Sequence, residues 1–383
     1  MNFLRRIFYT IPGLPWLYHF SWSFLGAVVY GFPSRDIFVI GITGTKGKTT
    51  VIELLNHILE TAGQKTAVLS SIKIKVGEEE DKNKTETTMP GRFFTQRFLK
   101  QAVKADCRYA IIEVTSEGIA ANRHRFIKWD VAALINLAPE HIEAHGSFEK
   151  YKEAKLKLFR IAKKLCFINK DDQYAQEFKQ AAQGRVVWFS KSELKSQLVG
   201  EFNQYNIGLA EAIAQELEIN KEDINEAIAK FKGIAGRMEF IQKDPFAVVV
   251  DYAHTPDSLR AVYQSLKPTY NRLICVLGSA GGGRDKWKRS ELGKIAAEYG
   301  DEIILTNEDP YNEDPEKIIE EVAQGCPQAQ KIVDRGEAIK AAIKLAQPGD
   351  VVIITGKGSE TTIHIKGGKV VAWSDKETVL NNL

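Results

Sequence analysis

The chain has 383 residues, enough for two or three domains with large buried cores. Hydrophobic residues make up 44% and charged residues 26%, and a net charge of +3 without a basic block or an Arg–aromatic pattern argues against a nucleic-acid face. Cys107, Cys166, Cys275 and Cys326 stand far apart with no C-x-x-C pair, so neither a zinc ribbon nor a disulfide framework is indicated, and a reducing cytoplasm is the natural compartment.

The first 32 residues hold ten Phe, Trp and Tyr and few charges, with Arg5 and Arg6 near the start. Pro12, Pro15 and Pro33 frame the apolar stretch 16–32. No small-residue cleavage site leads into a separate mature start, so a signal peptide is not expected. The favoured expectation is an amphipathic helix packed on the domain that follows. Association with a membrane surface, and last a true span, are the alternatives.

From residue 36 the pattern alternates between β and α. Residues 36–43 (DIFVIGIT) form a short apolar run ending in a glycine-rich turn, hence a buried strand. Residues 48–62 have helical periodicity, with Gly63 as a C-cap. Residues 66–71, 109–115 and 131–137 read as further buried strands, 77–84 (GEEEDKNK) as a charged loop, and 147–163 as an amphipathic helix. Residues 190–232 look helical and close the first domain. A second series follows Gly236, with strands at 246–252, 273–278, 302–306 and 351–355. Helices fit 256–266, 288–299, 315–323 and 337–346. This order predicts parallel sheets with crossover helices.

Residues 43–50 read Thr-Gly-Thr-Lys-Gly-Lys-Thr-Thr, after a strand and opening a helix. That context is what a phosphate loop requires. Backbone N–H groups and the helix N-terminus favour anionic phosphates. Gly44, Thr45, Gly47 and Thr50 shape the loop. Lys48 can bridge the β- and γ-phosphates, and the Thr49 hydroxyl can bind Mg²⁺. The general pattern wants glycine five residues before Gly47; Ile42 stands there, so the loop is a variant.

T-G-T-x-G-K-T-T resembles the Mur ligases, which build the peptide stem of bacterial cell-wall precursors. Related folylpolyglutamate synthetases usually carry serine after Gly-Lys-Gly here. The resemblance extends through nearly all of the chain after residue 36. It implies an α/β fold: a central P-loop ATPase domain with a mainly parallel sheet over 36–235, then a Rossmann-like C-terminal α/β domain over 236–383, both behind the aromatic segment 1–35. Glu113-Val-Thr-Ser116 ends a strand and resembles the family's metal-binding Glu motif, which implies Mg²⁺ at Glu113. Asn136-Leu-Ala-Pro-Glu140-His141-Ile-Glu143-Ala-His145-Gly146 resembles N-L-x-x-D-H-L-D-x-H-G with both aspartates replaced by glutamate, and implies a second Mg²⁺ at His141. Tyr151-Lys-Glu-Ala154-Lys155 with Leu158-Phe159 matches Y-x-x-A-K-x-x-L-F, where the family lysine is carbamylated and orients or binds that metal. Its spacing suits the branch that adds the third stem residue.

Gly200-Glu-Phe202-Asn203-Gln-Tyr-Asn206 resembles G-x-F-N-x-x-N, so the Asn206 amide could read adenine. Gly236-Arg237-Met238-Glu239 resembles G-R-M-E, whose arginine reaches ATP, and Asp251-Tyr-Ala-His254-Thr-Pro256-Asp257-Ser matches D-Y-A-H-T-P-D-S, with Asp251 expected near the ribose. Residues 278–289 (GSAGGGRDKWKR) make Arg284 and Lys288 candidate contacts to substrate carboxylate or γ-phosphate. Gly356-Lys357-Gly358-Ser359-Glu360 resembles G-K-G-H-E, with Glu360 placed for the incoming ammonium. Thr87, Thr88, Ser116 and Arg123 resemble the family's contacts to the muramoyl-peptide.

The implied reaction makes an acyl-phosphate from ATP and a carboxylate, then an amide, with closure of the C-terminal domain. Two departures stand out. Only about 35 residues precede the ATPase strand, where the family carries a uridine-diphosphate-sugar domain of roughly one hundred residues. Either the nucleotide end is held differently or the substrate is not a nucleotide. Further, diaminopimelate-adding enzymes carry D-N-P-R where this chain has Glu308-Asp309-Pro310-Tyr311, with Asp309 a substrate contact. Tyr311 cannot supply the planar guanidinium fork, so lysine or a similar amine is expected instead. The expected partners are a muramoyl-peptide precursor and a free amino acid, with no nucleic acid. The expected state is a cytoplasmic monomer, with peripheral contact to the inner membrane surface through residues 1–35 as an addition. The alternatives are a Mur-like ligase for a polyglutamyl, cyanophycin-like or lipid-linked substrate, and a binding module with a relict nucleotide site.

Overall fold

The computed structural model describes residues 13–85, 87–91, 93–140, 145–283 and 286–383. The chain divides into two compact units: one runs to Ser196 and takes in Phe202–Phe231, and the other comprises Gln197–Glu201 and Lys232–Leu383.

The first unit is built on an eight-stranded sheet in the order β4-β3-β2-β5-β1-β6-β7-β8. Its strands are β1 (Phe38–Thr43), β2 (Thr66–Leu69), β3 (Lys73–Val76), β4 (Glu79–Lys82), β5 (Tyr109–Glu113), β6 (Val131–Leu134), β7 (Leu165–Asn169) and β8 (Arg185–Phe189). Apart from the β2-β3-β4 edge all pairings are parallel, and β1 lies between β5 and β6. Parallel strands are covered on both faces, which is why β1, β5 and β6 read as unbroken apolar runs. Within β1, a Cβ at Gly41 would lie 2.9 Å from the Trp129 ring, so glycine is what lets this buried indole pack across the central strand.

The expected loop at 77–84 is instead half of a hairpin. Gly77 (φ 62°) and Glu78 turn the chain, and Val76 pairs with Glu79. No apolar alternation marks this segment because β4 is an edge strand exposed throughout. Charge pairing replaces apolar packing: Lys73 meets Glu53 at 2.7 Å and Glu80 at 3.1 Å, and Lys75 meets Glu60 at 2.5 Å. A charged edge also discourages pairing with another sheet.

The N-terminal helix Leu14–Val29 packs on the first unit through Ser23, Gly26 and Ala27. Ser23 Oγ lies 3.0 Å from the Asn122 carbonyl, and Phe20 and Trp22 meet Phe126 and Phe93 edge-on. Among the described residues no helix is long and apolar enough to cross a membrane. Arg5 and Arg6 lie outside the described residues.

The second unit holds a six-stranded sheet in the order β13-β12-β11-β14-β10-β9. These are β9 (Glu239–Gln242), β10 (Ala247–Asp251), β11 (Leu273–Leu277), β12 (Glu302–Leu305), β13 (Gln330–Lys331) and β14 (Val351–Thr355). Only β9 runs antiparallel. A separate hairpin joins β15 (Thr362–Ile365) to β16 (Lys369–Ala372). Arg335 and Asp375 form a fully buried bidentate pair at 2.7 Å, and the guanidinium also donates to the carbonyls of Asn307 and Thr355, just past β12 and at the end of β14. Asp375→Ala leaves that cation buried without its counterion. It should lower the unfolding free energy by about 3–5 kcal/mol; a urea midpoint unchanged from the parent would contradict this.

Candidate functional site

In both units the motif residues follow the carboxyl ends of parallel strands, where open α/β sheets bind ligands. In the first unit β1 delivers residues 44–47, β2 delivers Ser70 and Ser71, β5 ends on Glu113, and β6 leads to 135–140. The register pairs Ile42 with Glu113 and Thr43 with Leu134, which sets the three strand ends side by side.

The loop is held from beneath by Asn136. Its Oδ1 accepts from the amides of Thr45 at 3.1 Å and Lys46 at 2.9 Å. The Thr45 hydroxyl lies 3.0 Å from the Tyr151 hydroxyl and accepts from the Ala138 amide at 2.9 Å. Lys46 pairs with Glu140 at 2.7 Å. The helix Lys48–Thr61 starts directly after Gly47, whose φ is 85°. A Cβ there would sit 2.2 Å from Asn206 Oδ1, so the Asn206 amide lies against the loop itself. Asn203 orients it by accepting from Asn206 Nδ2 at 2.9 Å.

Two lysines converge on one carbonyl. Lys48 Nζ donates to Gly44 O at 3.1 Å and to Thr45 O at 3.0 Å, and Lys155 Nζ donates to Gly44 O at 2.8 Å. Lys155 projects from the helix Phe148–Phe159, capped by Ser147, and its nitrogen also lies 4.8 Å from the centre of the Tyr151 ring. It is fully buried. Burial first, then the neighbouring Lys48 charge, push its pKa well below that of an ordinary lysine, against a smaller pull from Glu140, Glu113 and Glu117. The un-ionised amine is the form that these surroundings favour.

Glu113 Oε2 accepts from Thr49 Oγ1 at 3.2 Å and from the Ser71 amide at 2.9 Å; the Ser71 hydroxyl lies 3.0 Å from that of Thr49. A carboxylate and a hydroxyl on one spot form a hard oxygen donor set of the kind Mg²⁺ takes, with phosphate oxygens and water completing the shell. Among the described residues no cluster of three His, Cys, Asp or Glu side chains could hold a metal by itself. Ser116 Oγ meets His145 Nε2 at 3.0 Å. Arg123 Nη1 donates to Met89 O at 2.6 Å, so it pins the segment carrying Thr87 and Thr88, whose own hydroxyl (Thr87) bonds the Thr85 carbonyl.

In the second unit Asp251 accepts from the amides of Met238 at 2.7 Å and Ala253 at 2.6 Å, so it ties the start of the unit to the end of β10. The Arg237 guanidinium carbon lies over the Tyr252 ring, 4.0 Å from its centre. Lys288 donates to His254 O at 3.1 Å. Glu360 accepts from the Tyr252 hydroxyl at 3.2 Å and pairs with buried Lys357 at 2.6 Å; Lys357 also pairs with Asp309 at 2.9 Å. Burial alone would depress the Lys357 pKa, but Glu360 and Asp309 more than offset it and raise it. Tyr311 stacks on His364, with ring centres 5.1 Å apart and planes 14° from parallel. Glu308 is buried, and among the described residues its Oε2 has no hydrogen-bond partner; burial raises its pKa against the pull of Arg335, Lys288 and Lys357.

His141 and Arg284 lie outside the described residues. The sequence reading missed Asn136, Ser71, Tyr151 and Lys357 as working parts. Asn136, Tyr151 and Lys357 stood inside quoted motifs without a role, and Ser71 carried no signal at all. Gly47→Ala forces a Cβ onto Asn206 and a strained φ onto the loop. It should raise the KM for ATP by on the order of tenfold or more, roughly the cost of 1–3 kcal/mol of backbone strain; titration with a fluorescent ATP analogue would show it.

The comparisons follow the same division. The Mur ligase middle domain matches residues 42–195, and the Mur ligase glutamate ligase domain matches residues 236–358. The UDP-N-acetylmuramoyl-L-alanyl-D-glutamate–2,6-diaminopimelate ligase of Syntrophomonas wolfei is 35% identical over 394 aligned residues, covering 93% of this chain and 80% of that protein. Its Aquifex aeolicus counterpart is 34% identical, covering 91% and 78%. A solved structure of a ligase of the same name matches with a TM-score of 0.63 at 30% identity, over 91% of this chain and 78% of that one. E. coli FolC with bound ADP shares the fold, with a TM-score of 0.72 at 21% identity over 88% and 90%. Matched over both domains and at this identity, the chain belongs to the Mur ligase family of ATP-dependent carboxylate–amine ligases.

Proposed function

We propose that this ligase adds a free amino acid to the carboxylate of a muramoyl-peptide cell-wall precursor. The observation that carries the reading is the first unit's phosphoryl-transfer cluster: Lys48 and Lys155 on the Gly44 carbonyl, beside the Thr49–Glu113 oxygen pair, at a helix N-terminus. The names of the most similar relatives supply the substrate class.

The substrate carboxylate oxygen attacks the γ-phosphorus of ATP, and the bond to the bridging oxygen breaks with departure of ADP. The amine then attacks the acyl carbon, the acyl–oxygen bond breaks, inorganic phosphate leaves, and the nitrogen sheds its proton. Lys48 leaves its carbonyls to follow the γ-phosphate, while Gly47–Thr49 amides face the phosphates because Asn136 already holds those of Thr45 and Lys46. Mg²⁺ at Thr49 and Glu113 would neutralise charge on the β- and γ-phosphates; the proposed second ion belongs to His141. Asn206 reads adenine from its place against Gly47. Thr87, Thr88, Ser116 and Arg123 are proposed to meet the muramoyl-peptide.

Lys155 is proposed to act as a carbamate. The un-ionised form of its amine, which burial favours, attacks the carbon of CO₂ and loses one proton, so that a lysine becomes a carboxylate-like group. Soaking the protein in ¹³C-bicarbonate should give a carbamate carbon signal that is missing in Lys155→Ala. The same variant should be inactive and partly rescued by short carboxylic acids; an active alanine variant without rescue contradicts the role.

The amine is proposed to be lysine or a close analogue. Asp309 and Glu360 share one cation, Lys357, so the trio carries one negative charge in excess, suited to an ammonium. The relatives named above act on 2,6-diaminopimelate, but Tyr311, stacked on His364, offers no guanidinium for a distal carboxylate. Burying that carboxylate unpaired costs several kcal/mol. ADP release with a muramoyl-dipeptide acceptor should be faster with lysine than with meso-diaminopimelate by on the order of a hundredfold. Tyr311→Arg should narrow the gap, and Lys48→Ala should abolish release while keeping its circular dichroism. Faster turnover with diaminopimelate would overturn the amine assignment, and no release with any muramoyl acceptor would overturn the substrate class.

A further inference from the structure

The N-terminal helix Leu14–Val29 contains no Asp, Glu, Lys or Arg. Its small residues face the first unit, yet Trp16, Leu17, Phe24, Leu25, Val28 and Val29 are between 44% and 66% exposed. Leu17, Phe24, Leu25 and Val28 share one stripe at helical spacing. Single exposed apolar side chains are ordinary; a stripe of them on one helix is an interaction surface.

The surroundings of that stripe are cationic. The helix Phe94–Lys104, packed beside it, carries Arg97, Lys100 and Lys104 and no acidic residue. Those three line a groove with Val28 and Val29. On another side the Arg125 guanidinium lies over the Trp16 and Phe20 rings at 5.8 and 5.5 Å. An apolar stripe framed by cations matches the boundary between acyl chains and anionic headgroups. There the hydrocarbon side chains enter the bilayer edge and the cations meet phosphates. A protein partner with an apolar patch would explain the stripe but not the three cations of the neighbouring helix.

We propose that this face docks the enzyme on an anionic phospholipid bilayer, with the helix lying in the plane of the interface. The proposal does not depend on which amino acid is added, and ADP release reports that chemistry separately.

Sedimentation of the full chain with sucrose-loaded vesicles tests it, using phosphatidylcholine alone or with phosphatidylglycerol. Binding to the phosphatidylglycerol vesicles should be tighter by on the order of tenfold or more, and should weaken as salt rises. The R97E/K100E/K104E variant should lose that preference. The L17S/L25S/V28S variant should lose binding to both vesicle types. Both should keep the parent's thermal midpoint and ADP-release rate; if the serine variant unfolds, the charge-reversal variant decides. The proposal is overturned by absent binding, by equal binding to the two vesicle types, or by binding that the charge reversal leaves unchanged. A lipid-free dimer in light scattering that the serine variant dissociates would also overturn it, because a second copy would then cover the stripe.

Discussion

The carbonyl oxygen of Gly44 is the point on which the catalytic arrangement turns. It accepts from Lys48 and from Lys155 together. Two ammonium ions brought to one oxygen repel each other. Burial bears on that conflict: Lys155 lies buried against Tyr151, where desolvation and the Lys48 charge push its pKa down, while Lys48 stands at the helix start. Asn136, Thr45 and Tyr151 hold the loop in this geometry.

The second unit solves a related problem with the opposite sign. Three acidic residues, Glu308, Asp309 and Glu360, stand close to one buried lysine. Burial favours the neutral form of Glu308 against the pull of Arg335, Lys288 and Lys357, and Lys357 is shared between Asp309 and Glu360. The buried Arg335–Asp375 pair braces the segments after β12 and β14. Its net contribution to stability is modest because both ions are desolvated, so its value is positional.

The two lysine sites also explain why the same motif residue types behave differently. Lys155 and Lys357 are both fully buried, yet burial leaves the first with a lowered pKa and the second with a raised one. The difference is the partner: Lys155 faces carbonyls and another lysine, Lys357 two carboxylates. Burial sets the size of the desolvation penalty, and the neighbours decide its outcome.

Much was legible in the sequence because it rests on local chemistry. The runs FVIGIT, YAIIE and VVIIT announce buried strands through composition alone, and Gly47-Lys48-Thr49 after such a run announces a phosphate loop. Tyr311 in place of arginine was visible for the same reason: one residue type lacks the donor geometry of another. The charged hairpin of β3 and β4 was not legible, since its strands are held by ion pairs to Glu53 and Glu60 on a neighbouring helix rather than by alternation. Nor could the sequence reveal that Ser71 joins Thr49 and Glu113, that Asn206 rests on Gly47, or that Lys155 meets the carbonyl Lys48 uses. Residues 22, 159 and 111 positions apart in the chain meet because the loops after β1 and β2 open at one edge of the sheet and the helices carrying Lys155 and Asn206 pack against the first of them. Residue type fixed which chemistry was available, and tertiary packing decided which groups share a site, which have their pKa shifted by burial, and which apolar face stays in water.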